Sequence, residues 1–394
     1  MMDIAEGSDP SVALQNLRSS RRSFNANDLI VTLTCLSLLS LGISKYVEPL
    51  RYVQYLVAPI AFIIWLTIGK RKWHAHSAKY LAAALLISLS VALAAIFTDQ
   101  RDFRIVAFLL LPLSTGIVIG HISDRNMTWL CVSFVIAALT YNSPKSGTGE
   151  YSINFLYSSS IAESELTFSL AVLFLAMISV RQWRRVFFGS LLLIIMMKRI
   201  ALGGLLLSSM IGFLSSPPWL SKLLTQRSHT AAIVATALFA AFGAVSFNLN
   251  AIALQIFLNF QQLFDTVERI TLGRYKLAET MQAYMASAGT VATELLGFGP
   301  GSSRSVIGEA YFHSSDFNVL NDYLLVKFEY GWLGLAAFFS AYALAIAQSR
   351  WGLILCAFQA IVFMTDNTLI YAFHTQVVVL CSIFLASRER QGLV

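Results

Sequence analysis

Long apolar stretches with almost no charge inside them recur along the whole of this 394-residue chain. They constrain its fold more than any motif does, because a helix needs about 20 mostly apolar residues to cross the hydrocarbon core of a bilayer. About twelve can be drawn, beginning near Leu29, Tyr52, Tyr80, Ile105, Thr128, Ile161, Val186, Ala201, Thr230, Tyr323, Trp351 and Thr368. Composition agrees. Hydrophobic residues make up 57% and charged ones 12%, where a soluble chain carries about 45–50% and about 25%. A soluble enzyme of this length would lack the charge to cover its surface. The reading is all-α: a polytopic helical membrane protein of about 12 transmembrane helices, since helices satisfy every backbone polar group internally in lipid.

The net charge of +7 is then read as an excess of Lys and Arg in cytoplasmic loops rather than as a nucleic-acid footprint. With the N-terminus cytoplasmic, 16 of the 28 Lys and Arg fall on the cytoplasmic side, among them Arg18, Arg21, Arg22, Lys79, Arg125, Arg350, Arg388 and Arg390. An even number of spans returns the C-terminus to the same side. This divides the chain into a cytoplasmic tail over 1–28, nine spans over 29–247, an external segment over 248–322, three spans over 323–387 and a tail over 388–394. No apolar core precedes Asp28, so no cleavable signal peptide is expected and the first span should direct insertion. Cys35, Cys131, Cys356 and Cys381 show no paired spacing and imply neither a disulfide framework nor a metal cluster.

The segment 248–322 is the main departure from a plain bundle, because loops of that length without a role are uncommon. Its first part, Ala251 to Ile270, has the spacing of a helix lying in the membrane interface, and a second short helix is expected over Tyr275 to Met285. GFGPGSS, Gly297 to Ser303, is too punctuated by Gly and Pro for regular structure. A smaller external loop spans Tyr141 to Ser160.

Charged side chains at membrane depth are expensive, so those near span ends merit the closest reading. Lys198 and Arg199, in MMKRIALGG, are either a snorkelling pair at a tight helical turn or cations that hold a phosphate; a planar guanidinium suits bidentate phosphate contact. Arg274 and Arg304 are either solvated or anion-binding, and Arg304 follows a Gly-rich turn whose amides could face an anion. Arg101 and Arg104 could pair with Asp99 and Asp102 at the surface. His313, Asp316, Asn318, Asn321 and Asp322 crowd the mouth of a span, where they could supply a general base and hydrogen bonds to sugar hydroxyls. The competing reading is that Asn321 or Asp322 simply caps the next helix. His374 reads as a packing residue. No nucleotide-binding Walker motif occurs, and the one closely spaced histidine pair, His74 and His76, sits in a basic cytoplasmic loop unfavourable for a divalent cation, so no metal or cofactor is expected.

In order along the chain stand Lys198-Arg199, Gly273-Arg274, Gly297-Phe298-Gly299, Leu320-Asn321-Asp322-Tyr323-Leu324 and Gly331-Trp332-Leu333-Gly334. This series resembles the O-antigen polymerase and O-antigen ligase superfamily (Wzy-type and WaaL-type membrane glycosyltransferases). The likeness covers about Lys198 to Leu335, and only the topology before it. Leu320 stands where the family often has His, and the nearest histidine is His313; this leaves the base open among His313, Asp316 and Asp322. The resemblance implies a GT-C-like fold and inverting, metal-independent glycosyl transfer between two undecaprenyl-diphosphate-linked glycans at the periplasmic face of a bacterial inner membrane. It implies a diphosphate clamp of Arg199, Arg274, Arg304 and Lys198, sugar contacts from Asn318 and Asn321, and a chain-length regulator and flippase as companions. Polymerase is favoured over ligase by VKFEYGWLGL. A non-enzymatic flippase or other transporter is the alternative of another class. Pro59 and Pro112 interrupt spans, but no matched pair in two halves marks an inverted repeat.

Overall fold

The structure, a computed structural model, describes residues 26–44, 46–67, 76–96, 98, 102–141, 161–180, 203–206, 208–209, 228–259, 274–308, 321–365, 368–370 and 372–391. Among these residues helix is the only regular structure. The long elements are α1 (Ala26–Ile43), α2 (Val57–Thr67), α3 (Ser77–Ile96), α4 (Arg104–Val118), α5 (Asp124–Tyr141), α6 (Ile161–Ser179) and α7 (Ser228–Asn259). They are followed by α8 (Arg274–Ala288), the one-turn-and-a-half α9 (Val291–Leu296) and α10 (Ser302–Ile307), then α11 (Asp322–Ile346), α12 (Arg350–Thr365) and α13 (Ala372–Arg390). Among the described residues, three helical stretches have the length and apolar composition to cross a membrane: Ser77–Ile96, Thr230–Asn248 and, counted along its sequence, Asp322–Ile346.

The faces of α3 show what surrounds it. Tyr80, Ala83, Ile87, Val91 and Ala94 are buried against the bundle, while Leu81, Leu85 and Leu89, one helical turn apart, are exposed. A helix apolar on both faces fits a lipid surround, where a soluble helix would turn charge outward. Small residues let the helices approach closely. A Cβ on Gly116 would lie 2.6 Å from the Tyr80 ring, and one on Gly42 would lie 2.8 Å from the Ala137 backbone.

Prolines set local boundaries. The second apolar stretch begins as a 3-10 helix, Glu48–Leu56, and becomes α-helical only at Val57. Pro59 explains the change, because its ring crowds the carbonyl four residues back. Pro112 lies inside α4, beside Thr115, whose hydroxyl shares a buried hydrogen bond with Gln376 of α13 at 2.6 Å. In the long segment, α7 runs unbroken to Asn259 instead of giving way to a separate interfacial helix at Ala251. No Gly or Pro stands between Gly243 and Asn259 to stop it, and at 1.5 Å per residue its length is roughly 48 Å. The expected second helix is α8.

Contacts sort the connections into two ends. At one, Asn126 donates to Asp28 (2.8 Å), the Gly120 amide donates to Asn27 (3.2 Å), and His76 Nε2 meets the Ile119 carbonyl (2.6 Å). Arg388 pairs with Asp124, and the Arg350 amide donates to Glu389 (3.2 Å). At the other end, Thr98 and Asp102 meet the Gly297–Gly301 turn; the start of α11 meets Ser246 and the 3-10 turn Thr368–Ile370.

Element α11 is not one straight helix. Gly331 has φ 65° and ψ −166°, yet the Tyr323 and Phe339 rings, eight residues to either side, lie 4.6 Å apart. A continuous helix would separate those positions by roughly 24 Å. The chain therefore reverses at Gly331, and residues 322–330 and 332–346 form the two arms of a helical hairpin. Tyr330 and Phe338 stack across the same bend at 4.9 Å.

Candidate functional site

The hairpin tip creates a problem that the glycine turn solves. Reversal at Gly331 leaves the last carbonyls of the first arm without helical partners, and a buried carbonyl must be satisfied. The Phe298 amide donates to the Phe328 carbonyl at 2.8 Å, and the Gly299 amide to the Glu329 carbonyl at 3.0 Å. The turn thus caps the arm from another part of the chain. The contact is backbone on backbone: a Cβ on Gly297 would lie 2.3 Å from the Glu329 carbonyl group, and one on Gly331 would lie 2.4 Å from that of Leu295. Gly297 and Gly331 also hold φ of 82° and 65°, open to glycine at little cost.

Beyond the turn, Gly301 starts α10 with φ 85° and no side-chain cap. Ser302 Oγ donates back to the Gly299 carbonyl (2.7 Å), and Ser303 Oγ donates to Glu329 Oε1 (2.5 Å). Glu329 is fully buried two residues before the tip. The next residue, Arg304, is partly exposed, and its guanidinium lies 3.7 Å from the Asp102 carboxylate. The Asp102 amide in turn donates to the Pro300 carbonyl at 3.1 Å. Lys327, on the first arm, places its ammonium 4.3 Å from the centre of the Trp332 ring and 5.0 Å from that of Phe247, a cation–π arrangement. With Glu294, Thr293, Phe298, Met285 and Gly289 it lines a small cleft of about 30 Å³.

The start of the hairpin is held as firmly as its tip. Asn321 caps it, accepting from the Leu324 amide (3.0 Å) while its own amide donates to Ser246 (2.8 Å). Asp322, fully buried, accepts from the Thr368 amide (2.7 Å), the Thr368 hydroxyl (3.1 Å) and the Leu369 amide (3.2 Å). Those amides open the turn between α12 and α13, so one carboxylate ties three helices together. The capping reading of Asn321 is the one the geometry gives, and Asp322 acts as a cross-chain cap.

Of the residues singled out from sequence, Arg304, Asn321 and Asp322 are seen with their side chains. Arg274 opens α8, but its side chain is outside the described residues. Lys198, Arg199, His313, Asp316 and Asn318 lie outside them altogether. Asp102 reaches Arg304; its expected partners Arg101 and the Arg104 side chain lie outside the described residues. His374 is buried against Ser169 (3.3 Å) and the side chain of Gln359 (2.8 Å from its Nε2 and 3.1 Å from its Oε1), in line with a packing role. Sequence reading passed over Lys327 and Glu329. Both were visible as ionisable residues two apart inside an apolar run, VKFEYGW, where any such residue invites a functional question. Among the described residues no group of three or more His, Cys, Asp or Glu side chains is placed to hold a metal ion. Compared with protein-family models and with curated proteins, the chain matches none.

Proposed function

We propose that this chain is a membrane glycosyltransferase, a polymerase that moves a growing glycan from undecaprenyl diphosphate to a lipid-linked repeat unit. The observation that carries the reading is the docking of the Gly297–Gly299 turn on the Gly331 hairpin tip with Arg304 directly beyond it. Two glycine motifs some 30 residues apart in the resembling series, each weak alone, form a single built feature with a cation at its rim.

In the proposed reaction an acceptor hydroxyl oxygen attacks the anomeric carbon of the donor sugar with inversion. The bond from that carbon to the diphosphate oxygen breaks, the diphosphate leaves with its electrons, and a base takes the hydroxyl proton. Arg304, with Arg199, Arg274 and Lys198, stabilises the departing charge, since preorganised donors aimed at developing charge contribute the largest single share in many enzymes. Asp322 is committed to backbone amides, so the base belongs to His313 or Asp316, with Asn318 beside them as a sugar contact. The end carrying Lys79, Arg125, Arg350, Arg388 and Arg390 is cytoplasmic by charge, both termini with it, and the hairpin tip faces the periplasm. A chain-length regulator and a flippase are the companions this activity would call for.

The discontinuous helix favours a second reading, a transporter of lipid-linked oligosaccharide, because broken helices mark the binding sites of many carriers. Purified protein with lipid-linked repeat units in EDTA separates the two. The expected outcome is a ladder of lengthening lipid-linked glycans, with Arg304→Ala slower by about 10²-fold or more at unchanged folding. Sugar moved only onto added lipid A core would identify a ligase. Absence of covalent product from a validated donor with either acceptor would sink the enzyme reading.

A further inference from the structure

Helix α10 is six residues long, far too short to hold itself, and it begins at an uncapped glycine. Yet it carries Arg304, whose placement the proposed reaction depends on. Its fixing points are few. Ile307 is buried with Ala278, Met281, Leu324 and Phe328, and Ser302 ties back within its own turn. Among the described residues, a side-chain hydrogen bond joins α10 to the hairpin from Ser303 to Glu329, at 2.5 Å. Glu329 is itself held, because its carbonyl accepts from the Gly299 amide and Gly331, two residues on, makes the reversal. Its second carboxyl oxygen, Oε2, has no hydrogen-bond partner among the described residues; the carboxyl is held by the Ser303 hydroxyl and by the backbone of Gly301, both at the first turn of α10.

We propose that Glu329 is the positioning residue of this site: through Ser303 it fixes the first turn of α10 and so aims the Arg304 guanidinium at the donor diphosphate. Asp102 and Glu329 divide the work. Asp102 faces the guanidinium from the exposed side, while Glu329 holds the backbone from the buried side. A carboxyl buried deep in a bundle is costly, and a merely apolar hairpin tip would have spared it; the hydroxyl it receives is one residue from the cation. The inference rests on the glycosyl-transfer reading above.

The test is binding of undecaprenyl diphosphate to the full chain in nanodiscs, with donor KM and kcat measured alongside. Glu329→Ala should weaken binding about tenfold and raise donor KM more than it lowers kcat. Glu329→Gln, which keeps an acceptor for Ser303, should restore binding to within about threefold of wild type. In an Arg304→Ala background, Glu329→Ala should add less than about twofold, because residues acting through one another are not additive. Effects that multiply in the double variant would overturn the inference, as would unchanged binding in Glu329→Ala. Should Glu329→Ala fail to fold, Ser303→Ala takes its place in the same cycle. Wild-type protein that bound no undecaprenyl diphosphate would instead sink the transfer reading, and this inference with it.

Discussion

Asp322 carries its carboxylate into a fully buried position, where an uncompensated charge would cost several kcal/mol. Two backbone amides and a hydroxyl from Thr368 and Leu369 compensate it. Asparagine has nearly the same shape but turns an amino group toward at least one of those donors. Asp322→Asn should therefore lower stability by on the order of 2–3 kcal/mol, read as a drop in thermal unfolding temperature in detergent, with transfer activity per folded molecule retained. Loss of activity at unchanged unfolding temperature would instead make Asp322 the base. Much at this level was legible beforehand. Asn321 and Asp322 before an apolar run announce a cap, and Arg304 after a glycine turn announces a cation at a bend. The partners were not legible, because Ser246, Thr368 and Asp102 are brought near only by packing between distant parts of the chain.

The hairpin α11 shows where periodicity runs out. Its 25 residues have the length and hydropathy of one span, and nothing in their apolar pattern distinguishes a straight helix from two antiparallel arms. Gly331 is the sole local signal, and Gly334 nearby stays helical. The reversal is stable because the Gly297–Gly301 turn supplies the missing amides. Gly331→Ala should cost about 3 kcal/mol or more, from backbone strain and from overlap with the Leu295 carbonyl group, and should appear as poor recovery of folded protein from detergent. The fold-back itself can be measured. In a background lacking Cys35, Cys131, Cys356 and Cys381, cysteines at Tyr323 and Phe339 should be bridged by a bifunctional reagent of roughly 10 Å reach. An unbroken helix, which holds them roughly 24 Å apart, could not be bridged this way.

Across the whole molecule, chain ends and loops that are far apart in sequence converge. The connection over residues 119–123 leads into α5, whose first residue, Asp124, pairs with Arg388 in the last turn of α13. His121 sits in that connection, and partial burial, then Arg388 and Arg390, hold its pKa below the usual histidine value. The fold thus disfavours the protonated ring. Its contribution to stability is intact above the unfolded pKa of about 6.5 and declines as pH falls through that value toward the lower folded one. Thermal unfolding should drop between pH 7.5 and 5.5, and His121→Gln should flatten the decline; an identical slope in the variant would remove His121 from the account. The helices of the described residues follow from the apolar stretches, as the sequence suggests. The closure of the glycine turn on the hairpin does not, since it depends on contact between two backbones.

That closure has a consequence for exchange between proteins. Side-chain interfaces can drift one residue at a time, but two backbones in van der Waals contact leave no room for either to change alone. The turn at Gly297–Gly301 and the bend at Gly331 form a single inheritable part. A chimaera that imports residues 274–308 from another protein should fold only when 322–334 travel with them.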